Sequence, residues 1–199
     1  MAAVLVVCTG NVCRSPVAEG LLRAAMQARF GGSAPTVASA GVAGWTGSKA
    51  DAHSIESLAE RGVDISSHRG RRLSRQDLAD AAVVIAMAYE HRDAVVALAP
   101  ETIDRTFTLK ELVRLLEAVP TSDLGDDDPT ALLGRRIDDA AALRRGGFEG
   151  NPYDEDVADP LGLPLEAFRA MTWEIGEWVE RLAAALFGVE RERASASGS

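Results

Sequence analysis

Four short segments that are predicted to be strands, two of them apolar runs and the last one weak, constrain the fold more than any other feature, because each is followed along the chain by a segment with helical spacing of its apolar residues. The first run, Ala3–Val7, is uninterrupted and mostly β-branched, as is typical of a strand buried on both faces of a parallel sheet. Further strands are predicted at Thr36–Ala40, Ala82–Met87 and Arg105–Thr108. Such alternation favours a parallel sheet covered on both faces. The sequence therefore predicts an α/β fold with three layers, α/β/α, around a four-stranded parallel sheet.

The segments between these runs are predicted to be helices. Ser15 is expected to cap the first helix, with Pro16 at its first helical position and Gly31 at its end. The later helices are predicted at Ala52–Glu60, Glu90–Leu98, Leu109–Ala118 and Leu165–Phe187. In the last of these, the apolar residues fall mostly three or four positions apart, as packing on a sheet requires.

Residues 121–151 break this alternation. They begin with the acidic run DLGDDDP and continue into a predicted surface helix that contains Ile137, Ala141 and Leu143. The segment is interpreted either as an inserted lid or as a solvated decoration, since charge runs are usually exposed faces. Residues 1–189 are predicted to form one domain with this insertion, and the small polar segment 190–199 is predicted to be a disordered tail.

Charge and hydropathy exclude several classes of protein. The 199 residues carry 21 Lys and Arg against 30 Asp and Glu, and the formal charge of −9 gives no general attraction to nucleic acid. Local basic clusters such as Arg69–Arg75 can still meet an anionic ligand. No apolar run approaches the roughly 18 residues of a membrane span. The stretch Ala2–Val7 is too short for an export signal and lacks a basic leader, so a cytoplasmic location with reduced cysteines is predicted.

The loop after the first strand reads CTGNVCRS and places Cys8 six positions before Arg14. That spacing alone would occur by chance in about one chain in five of this composition. Its position is more informative, because it joins the carboxyl end of a predicted central strand to a helix N-terminus. Open α/β sheets bind ligands there, and unpaired backbone amides attract anions. The sequence therefore predicts a cradle for phosphate or a similar oxyanion.

Each residue type in this loop suits a tetrahedral oxyanion. The planar guanidinium of Arg14 can bind two oxygens while the loop amides donate to the others. The same cation and helix terminus favour the thiolate of Cys8, and Ser15 is placed to stabilise it. Gly10 permits close approach of the backbone, and Asn11 tolerates left-handed φ. The alternative is a Cys8 that is only a small buried apolar side chain. The predicted phosphate-binding loop comprises Thr9, Gly10, Asn11, Val12, Cys13 and Ser15 around Cys8 and Arg14.

Together with Ser39-Ala40-Gly41 after the second strand, this loop resembles the low-molecular-weight protein tyrosine phosphatase family. The resemblance covers nearly the whole chain outside the insertion and implies the flavodoxin-like, phosphotyrosine phosphatase I-like fold. It implies that four polar residues hold the loop, which here are Asn11, Ser15, Ser39 and His68. It further implies that Trp45 lines the substrate cleft, although a single Trp in a loop is more often a packing residue.

The resemblance also assigns the chemistry. The family's general acid lies in an Asp-Pro pair before the last helix, here Asp159-Pro160, and proline restricts Asp159 towards extended backbone. The implied mechanism is attack by the Cys8 thiolate, charge stabilisation by Arg14 and protonation of the leaving oxygen by Asp159, followed by hydrolysis of the cysteinyl-phosphate to inorganic phosphate. No metal or other cofactor is required. Competing carboxylates are Asp127, Asp128, Asp154 and Asp156.

The implied substrate is a phosphorylated protein or a small phosphate ester, with protein phosphotyrosine preferred. Leu161-Gly162 replaces aromatic residues that usually follow the Asp-Pro pair in phosphotyrosine-selective members, and Ala88 stands where Asp is common. Related protein-arginine phosphatases tend to have Thr at the position of Val12, so Val12 favours an ester. Cys13 is predicted to trap oxidised Cys8 as a reversible disulfide, as such a neighbour can in the family.

Three other functions stay open at this point. They are a protein-arginine phosphatase, an arsenate reductase that uses a small-molecule thiol, and a phosphate-binding module without turnover. A reductase with three protein cysteines is excluded, because the chain has two. No nucleic-acid or membrane partner is predicted, and the sequence does not indicate an oligomeric state.

Overall fold

The computed structural model describes residues 3–120, 128–148, 151 and 154–188. Four parallel strands form one sheet in the order β2-β1-β3-β4. Their bounds are β1 Val4–Cys8, β2 Val37–Gly41, β3 Val83–Ala86 and β4 Thr106–Thr108. The predicted four-stranded parallel sheet is confirmed, with strand ends that differ from the expected ones by at most one residue.

Seven α-helices accompany the sheet in the described part of the chain. They are α1 Arg14–Phe30, α2 Ala52–Ala59, α3 Arg75–Asp80, α4 Tyr89–Leu98, α5 Leu109–Ala118, α6 Pro129–Arg145 and α7 Leu165–Phe187. Short 3-10 segments occupy Gly31–Ser33 and Pro100–Arg105. Helix α3 was not expected; its signal is a capping box in which the side chains of Ser74 and Asp77 each accept a hydrogen bond from the other residue's backbone N–H.

The start of α1 corrects one expectation. Ser15 does not cap the helix, because α1 already begins at Arg14 and Cys13 precedes it without a side-chain capping bond. The Ser15 hydroxyl is instead committed to polar groups of the preceding loop. The expected end is confirmed, since Gly31 follows the helix with φ 54°, a left-handed conformation that suits glycine.

Two apolar clusters cover the two faces of the sheet, which confirms the three-layer architecture. Because side chains alternate along a strand, Val6 and Cys8 face one cluster, whereas Leu5 and Val7 face the other. The first cluster is large and includes residues of α1, α5, α6 and α7. The second is smaller and takes residues from α3 and α4. Strand β1 is central, so the loop that follows it emerges at the carboxyl edge between β2 and β3.

Helix α6 is not the surface helix that was expected. Its residues Leu133 and Ile137 lie in the main core, and the helix packs against α5 and α7. Arg136 is buried as well, and its guanidinium donates to the backbone carbonyls of Leu116 and Ala185 near the ends of those helices. The helical half of the supposed insertion is therefore part of the core. The acidic run at 121–127 and the tail from 189 onwards lie outside the described residues, and the domain bounds stay predictions.

Candidate active site

The loop between β1 and α1 is tightly curled at the carboxyl edge of the sheet. Asn11 takes φ 59°, the one positive φ of a non-glycine residue in the described part of the chain. Gly41 at the end of β2 lets the loop lie close to the sheet. A Cβ at that position would stand 2.6 Å from the carbonyl oxygen of Thr9 and 2.9 Å from the amide nitrogen of Asn11. The glycine of the Ser39-Ala40-Gly41 signature is therefore a packing requirement of the loop.

A buried network of side chains holds the loop in this shape. Asn11 Nδ2 donates to Ser15 Oγ at 2.9 Å and to Ser39 Oγ at 2.7 Å. Ser39 Oγ in turn donates to Glu19 Oε2 at 2.5 Å. His68 Nε2 lies 2.9 Å from the backbone oxygen of Asn11. The structure thus brings together the four residues expected to support the loop, and it adds Glu19, which sequence reasoning did not identify.

This network fixes the direction of the hydrogen bond to the nucleophile. Ser15 Oγ lies 2.9 Å from Cys8 Sγ and already accepts a hydrogen bond from Asn11. A hydroxyl has a single proton, and here the sulfur is the remaining partner for it. Ser15 therefore donates to Cys8, and a donor at this place stabilises a thiolate.

Arg14 joins this loop to a second loop that comes from the other end of the sequence. Its guanidinium is almost fully buried, with 5% of the side chain exposed. Nη1 donates to the carbonyl oxygen of Val157 at 3.1 Å, and Nη2 donates to Thr9 Oγ1 at 3.3 Å and to Asp159 Oδ2 at 2.5 Å. Hydrogen bonds to both loops therefore hold the Arg14 guanidinium, and the Asp159 carboxylate lies next to it.

These residues line one cleft of about 300 Å³, measured as empty volume open to solvent. Trp45 and Leu161 lie at the opening of the cleft and are 46% and 45% exposed. The full lining consists of Cys8, Thr9, Gly10, Val12, Cys13, Arg14, Trp45, Asp159 and Leu161. Ser39 and His68 lie outside this lining and contact the loop from behind.

The segment that carries Asp159 is anchored by a buried carboxylate. Glu155 is 2% exposed and accepts hydrogen bonds from Thr108 Oγ1 at 2.7 Å and from Arg114 Nη1 at 2.6 Å. Two residues further on, the backbone N–H of Val157 donates to the carbonyl of Met87 at 2.8 Å. The segment is thereby tied to the carboxyl ends of β3 and β4, which sets Asp159 at the same edge of the sheet as the loop.

The competing carboxylates are engaged elsewhere. Asp128 caps α6 by accepting from the backbone N–H groups of its first turn. Asp154 pairs with Lys110 at 2.7 Å and with Arg114 at 3.0 Å. Asp156 accepts from a backbone N–H at the start of α4 at 2.8 Å. Asp127 lies outside the described residues. None of the three described competitors lines the cleft.

His91 is a site residue that sequence reasoning missed. It lies in the first turn of α4, is 1% exposed, and places Nε2 2.8 Å from Thr9 Oγ1. Burial, and then the neighbouring charge of Arg14, lower the pKa of His91 to about 4. The imidazole is therefore neutral at pH 7. A usable signal existed, since polar residues that follow neighbouring parallel strands meet at the same edge of the sheet.

The buried imidazole predicts an acid-labile fold. The pKa of His91 falls from its ordinary 6.5 to about 4 on folding, so between these pH values the unfolded chain binds the extra proton. Its contribution is fully present above pH 6.5 and is lost as the pH falls through 4, up to about 3 kcal/mol of unfolding free energy. Urea unfolding of wild type and His91→Gln between pH 7 and pH 4 measures this; the variant is expected to lose less stability on acidification. Equal losses in both proteins would contradict the assignment, and His53→Gln is the control.

Cys13 differs from Cys8 in its surroundings. The Cys13 thiol is buried, and burial, followed by the charge of Asp51, raises its pKa to about 12. It is therefore a neutral thiol at physiological pH and a poor nucleophile. Both cysteines are unpaired thiols.

The described residues contain no group of three or more His, Cys, Asp or Glu side chains arranged to hold a metal ion. Their helices also include none with the length and apolar character needed to cross a bilayer.

Comparison with known proteins identifies the family. The sequence model of the low molecular weight phosphotyrosine protein phosphatase family matches residues 3–134. A protein-arginine-phosphatase of Geobacillus stearothermophilus is 33% identical over 180 residues, which covers 90% of this chain and 93% of the relative. The low molecular weight protein-tyrosine-phosphatase Etp of Escherichia coli K12 is 39% identical over 104 residues, 52% of this chain and 66% of Etp.

Solved structures agree with this result. The low molecular weight protein tyrosine phosphatase of T. tengcongensis superposes with a TM-score of 0.67 at 34% identity, covering 92% of this chain and 97% of the other. The YwlE arginine phosphatase of Geobacillus stearothermophilus gives 0.66 at 33% identity, with 92% and 91% covered. The chain therefore belongs to the low molecular weight phosphotyrosine protein phosphatase family.

Proposed function

We propose that this chain removes phosphate from phosphorylated proteins, with phosphotyrosine as its preferred phosphorylated residue, through a phosphate covalently bound to Cys8. The observation that carries the proposal is the convergence of a thiol, a buried guanidinium and a carboxylate on one cleft. Cys8, Arg14 and Asp159 all line it, and Arg14 contacts Asp159 directly.

In the first step, the Cys8 thiolate attacks phosphorus in line with the ester oxygen. The P–O bond breaks as the S–P bond forms, and the leaving oxygen takes a proton from Asp159. Arg14 and the loop amides bind the equatorial oxygens, where charge is concentrated in the transition state. A phosphate oxygen competes with Asp159 for Arg14 Nη2, and this exchange frees Asp159 Oδ2 to face the leaving group.

In the second step, water cleaves the cysteinyl-phosphate. Asp159, now ionised, accepts a proton from the attacking water, and the S–P electron pair returns to Cys8. Inorganic phosphate is released, and the hydrogen bond from Ser15 stabilises the departing thiolate. The chemistry uses groups of the protein alone.

Apolar surfaces around the cleft support an aromatic phosphate ester. Val12 contributes an apolar side chain to the lining, and Trp45 and Leu161 flank the opening with close to half of their surface exposed. A phenol ring can pack between such side chains, and an aromatic pair with Trp45 adds specificity through ring geometry. A phosphorylated guanidinium carries N–H donors that need acceptors, and Val12 offers none.

Phosphoarginine is the second candidate substrate. The relative that matches along 90% of this chain is named a protein-arginine-phosphatase, and the YwlE arginine phosphatase shares its fold. Asp159 also lies where it could accept hydrogen bonds from a guanidinium. A phosphoarginyl peptide therefore belongs in the substrate panel.

A substrate panel tests the proposal. Purified protein is assayed for release of phosphate from p-nitrophenyl phosphate, a phosphotyrosyl peptide and a phosphoarginyl peptide, and for reduction of arsenate with a small thiol. We expect turnover of the first two, with a higher kcat/KM for phosphotyrosine than for phosphoarginine. Preference for phosphoarginine would overturn the substrate assignment, and absence of phosphate release from every phosphorylated compound would overturn the phosphatase itself. Arsenate reduction without phosphate release would identify the reductase.

The proposed mechanism depends on the redox state of the Cys8 thiol. The Cys8 thiol must be reduced for attack, which fits action in the cytoplasm, where thiols are kept reduced. Trapping of oxidised Cys8 by Cys13 stays a prediction. The pKa of about 12 for the Cys13 thiol makes it a slow partner, because exchange requires the thiolate. If peroxide inactivation of a Cys13→Ser protein were fully reversible by dithiol, that protective role would be excluded.

A further inference from the structure

Three exposed cations lie beside the loop that carries Trp45. Lys49, Arg69 and Arg72 are all solvent-exposed. Within the described residues, Lys49 and Arg72 pair with no carboxylate, and Arg69 donates only to backbone carbonyls of its own turn. These three residues are called the basic rim below. Their charges are available to a ligand, in contrast to most arginines of the described chain.

The sheet register places Arg72 on the same side as the nucleophile. Cys8 pairs with Gly41 of β2, and Gly41 forms a parallel bridge with Arg72. Residues in register on neighbouring strands share a face, so Arg72 lies two strand spacings, about 10 Å, from Cys8. Leu73, the next residue, faces the opposite apolar cluster, as this alternation requires. The loop with Trp45 contacts both segments, because the backbone N–H of Gly44 donates to the carbonyl of Thr9 at 3.2 Å and a Cβ at Gly44 would lie 2.2 Å from the Cα of Arg72.

Lys49 and Arg69 flank the same loop on its far side. They form an antiparallel bridge with each other. The two segments are hydrogen-bonded to each other next to this bridge, since the backbone N–H of Gly70 donates to the carbonyl of Ser48 at 2.7 Å. Gly70 also lies close to the Trp45 carbonyl, where a Cβ would come within 2.7 Å of the oxygen. The backbone of all three residues therefore lies beside the loop that carries Trp45, which itself lines the cleft.

Basic residues next to the basic rim differ from it, because each pairs with a carboxylate. Arg71 pairs with Asp77 at 2.5 Å, and Arg75 pairs with Glu101 at 2.9 Å. Of the acidic side chains near these residues, Glu19 lies 3.9 Å from His68, Asp51 caps α2 and Asp159 lines the cleft. A chain of net charge −9 repels acidic partners in general, so an unpaired basic group beside the cleft marks where an acidic segment can approach.

We propose that the basic rim binds acidic side chains that flank the phosphorylated residue of a protein substrate. This inference rests on the proposed function, because it extends the same cleft outwards. An extended peptide advances about 3.3 Å per residue, so the 10 Å to Arg72 corresponds to a position within about three residues of the phosphorylated one. Trp45 then packs against the ring while the rim contacts the flanking carboxylates.

Paired phosphotyrosyl peptides test this proposal. One carries Asp or Glu at the three positions on each side of the phosphotyrosine, and the other carries Gln or Asn there. The rim variant is Lys49→Gln/Arg72→Gln, since neither side chain makes a hydrogen bond to another described residue. The control is Arg145→Gln/Arg181→Gln, which changes net charge equally, at surface positions outside the rim and the cleft lining.

At low salt, the wild-type kcat/KM is expected to be about tenfold higher for the acidic peptide, and the rim variant is expected to lose most of that preference. The preference should shrink as salt rises, because these charges are exposed. The control should keep it, and both variants should retain activity on p-nitrophenyl phosphate, which does not reach the rim. Equal kcat/KM for the two peptides in the wild type, or an unchanged preference in the rim variant, would overturn the proposal.

Binding separates this result from the proposed function. Fluorescence anisotropy with the Cys8→Ser protein measures the affinity of both peptides without turnover. Tighter binding of the acidic peptide that disappears with Lys49→Gln/Arg72→Gln supports the rim even if phosphotyrosine proves to be a poor substrate. If the wild type did not hydrolyse p-nitrophenyl phosphate, the phosphatase mechanism itself would be refuted.

Discussion

Cys8→Ser is expected to lower kcat/KM for p-nitrophenyl phosphate by at least about a thousandfold, because the nucleophile of the first step is removed. A serine hydroxyl at this position has no base to take its proton, since its neighbour Ser15 is held as a donor by Asn11. Steady-state assays on the purified variant measure the loss. Arg14 and the loop amides are unchanged, so the variant should still bind inorganic phosphate.

The matched control for this experiment is Cys13→Ser. Both cysteines lie in the loop, both line the cleft, and both are buried. The Cys13 thiol is neutral at physiological pH, because burial raises its pKa to about 12, and the proposed mechanism does not use it. Its replacement should cost far less activity than Cys8→Ser. Comparable losses from the two substitutions would mean that the effect comes from the loop and not from the nucleophile.

Asp159→Asn is expected to lower kcat/KM for phenyl phosphate by about a hundredfold to ten-thousandfold, the range that a general acid contributes. The loss should be much smaller for p-nitrophenyl phosphate, because p-nitrophenolate leaves without protonation. The amide keeps the size of the carboxylate and a carbonyl oxygen for Arg14, so the cleft should stay intact. The measurement is kcat/KM for a series of phenyl phosphates, and the loss caused by Asp159→Asn should grow as the pKa of the leaving phenol rises.

Asp156→Asn provides the comparison for that series. Asp156 lies on the same segment but accepts a hydrogen bond from the start of α4 and does not line the cleft. It should show the wild-type dependence on the leaving group. If Asp159→Asn reduced activity equally on all members of the series, the carboxylate would serve in positioning Arg14 and another group would supply the proton.

Most of the fold could be predicted from the apolar pattern. The runs Ala3–Val7 and Ala82–Met87 become β1 and β3, and the bounds of α5 and α7 agree with the predicted ones. These elements are governed by local periodicity. The burial of helix α6 is not apparent from the acidic run before it, but Leu133, Ile137 and Ala140 have helical spacing on one face and lie in the core.

The candidate site was predictable where its residues are close in sequence. The loop from Cys8 to Ser15 is one uninterrupted segment, and its chemistry follows from residue types and from its place after a strand. Asp159 could be selected only through the family resemblance, because spacing along the chain does not show which carboxylate reaches the loop. The structure supplies the missing reason, since Glu155 and its buried partners Thr108 and Arg114 fix that segment at the sheet edge.

His91 and Glu19 are harder to identify from sequence than the loop, because their roles depend on tertiary contacts; the one signal for His91 is its position after the strand next to β1. His91 reads as a surface residue in the sequence Glu90-His91-Arg92, yet it is buried against Thr9. Glu19 reads as an exposed position of an amphipathic helix, yet it accepts the hydrogen bond that ends the Asn11 network. Polar residues on helices reveal such roles only when the helix is placed against the loop.

The most direct test of the account is to trap the covalent intermediate. Wild-type protein and Cys8→Ser are mixed with a phosphotyrosyl peptide, denatured at mildly alkaline pH within the first turnovers, digested at that pH and examined by mass spectrometry. We predict one added phosphoryl group, HPO₃, on the wild-type peptide that contains Cys8. It is attached through an S–P bond, which resists alkali and is cleaved by acid, and no such acid-labile group is expected on the Cys8→Ser peptide. Phosphate release at the wild-type rate with no phosphoryl group on Cys8, or with the group on another residue, would contradict it.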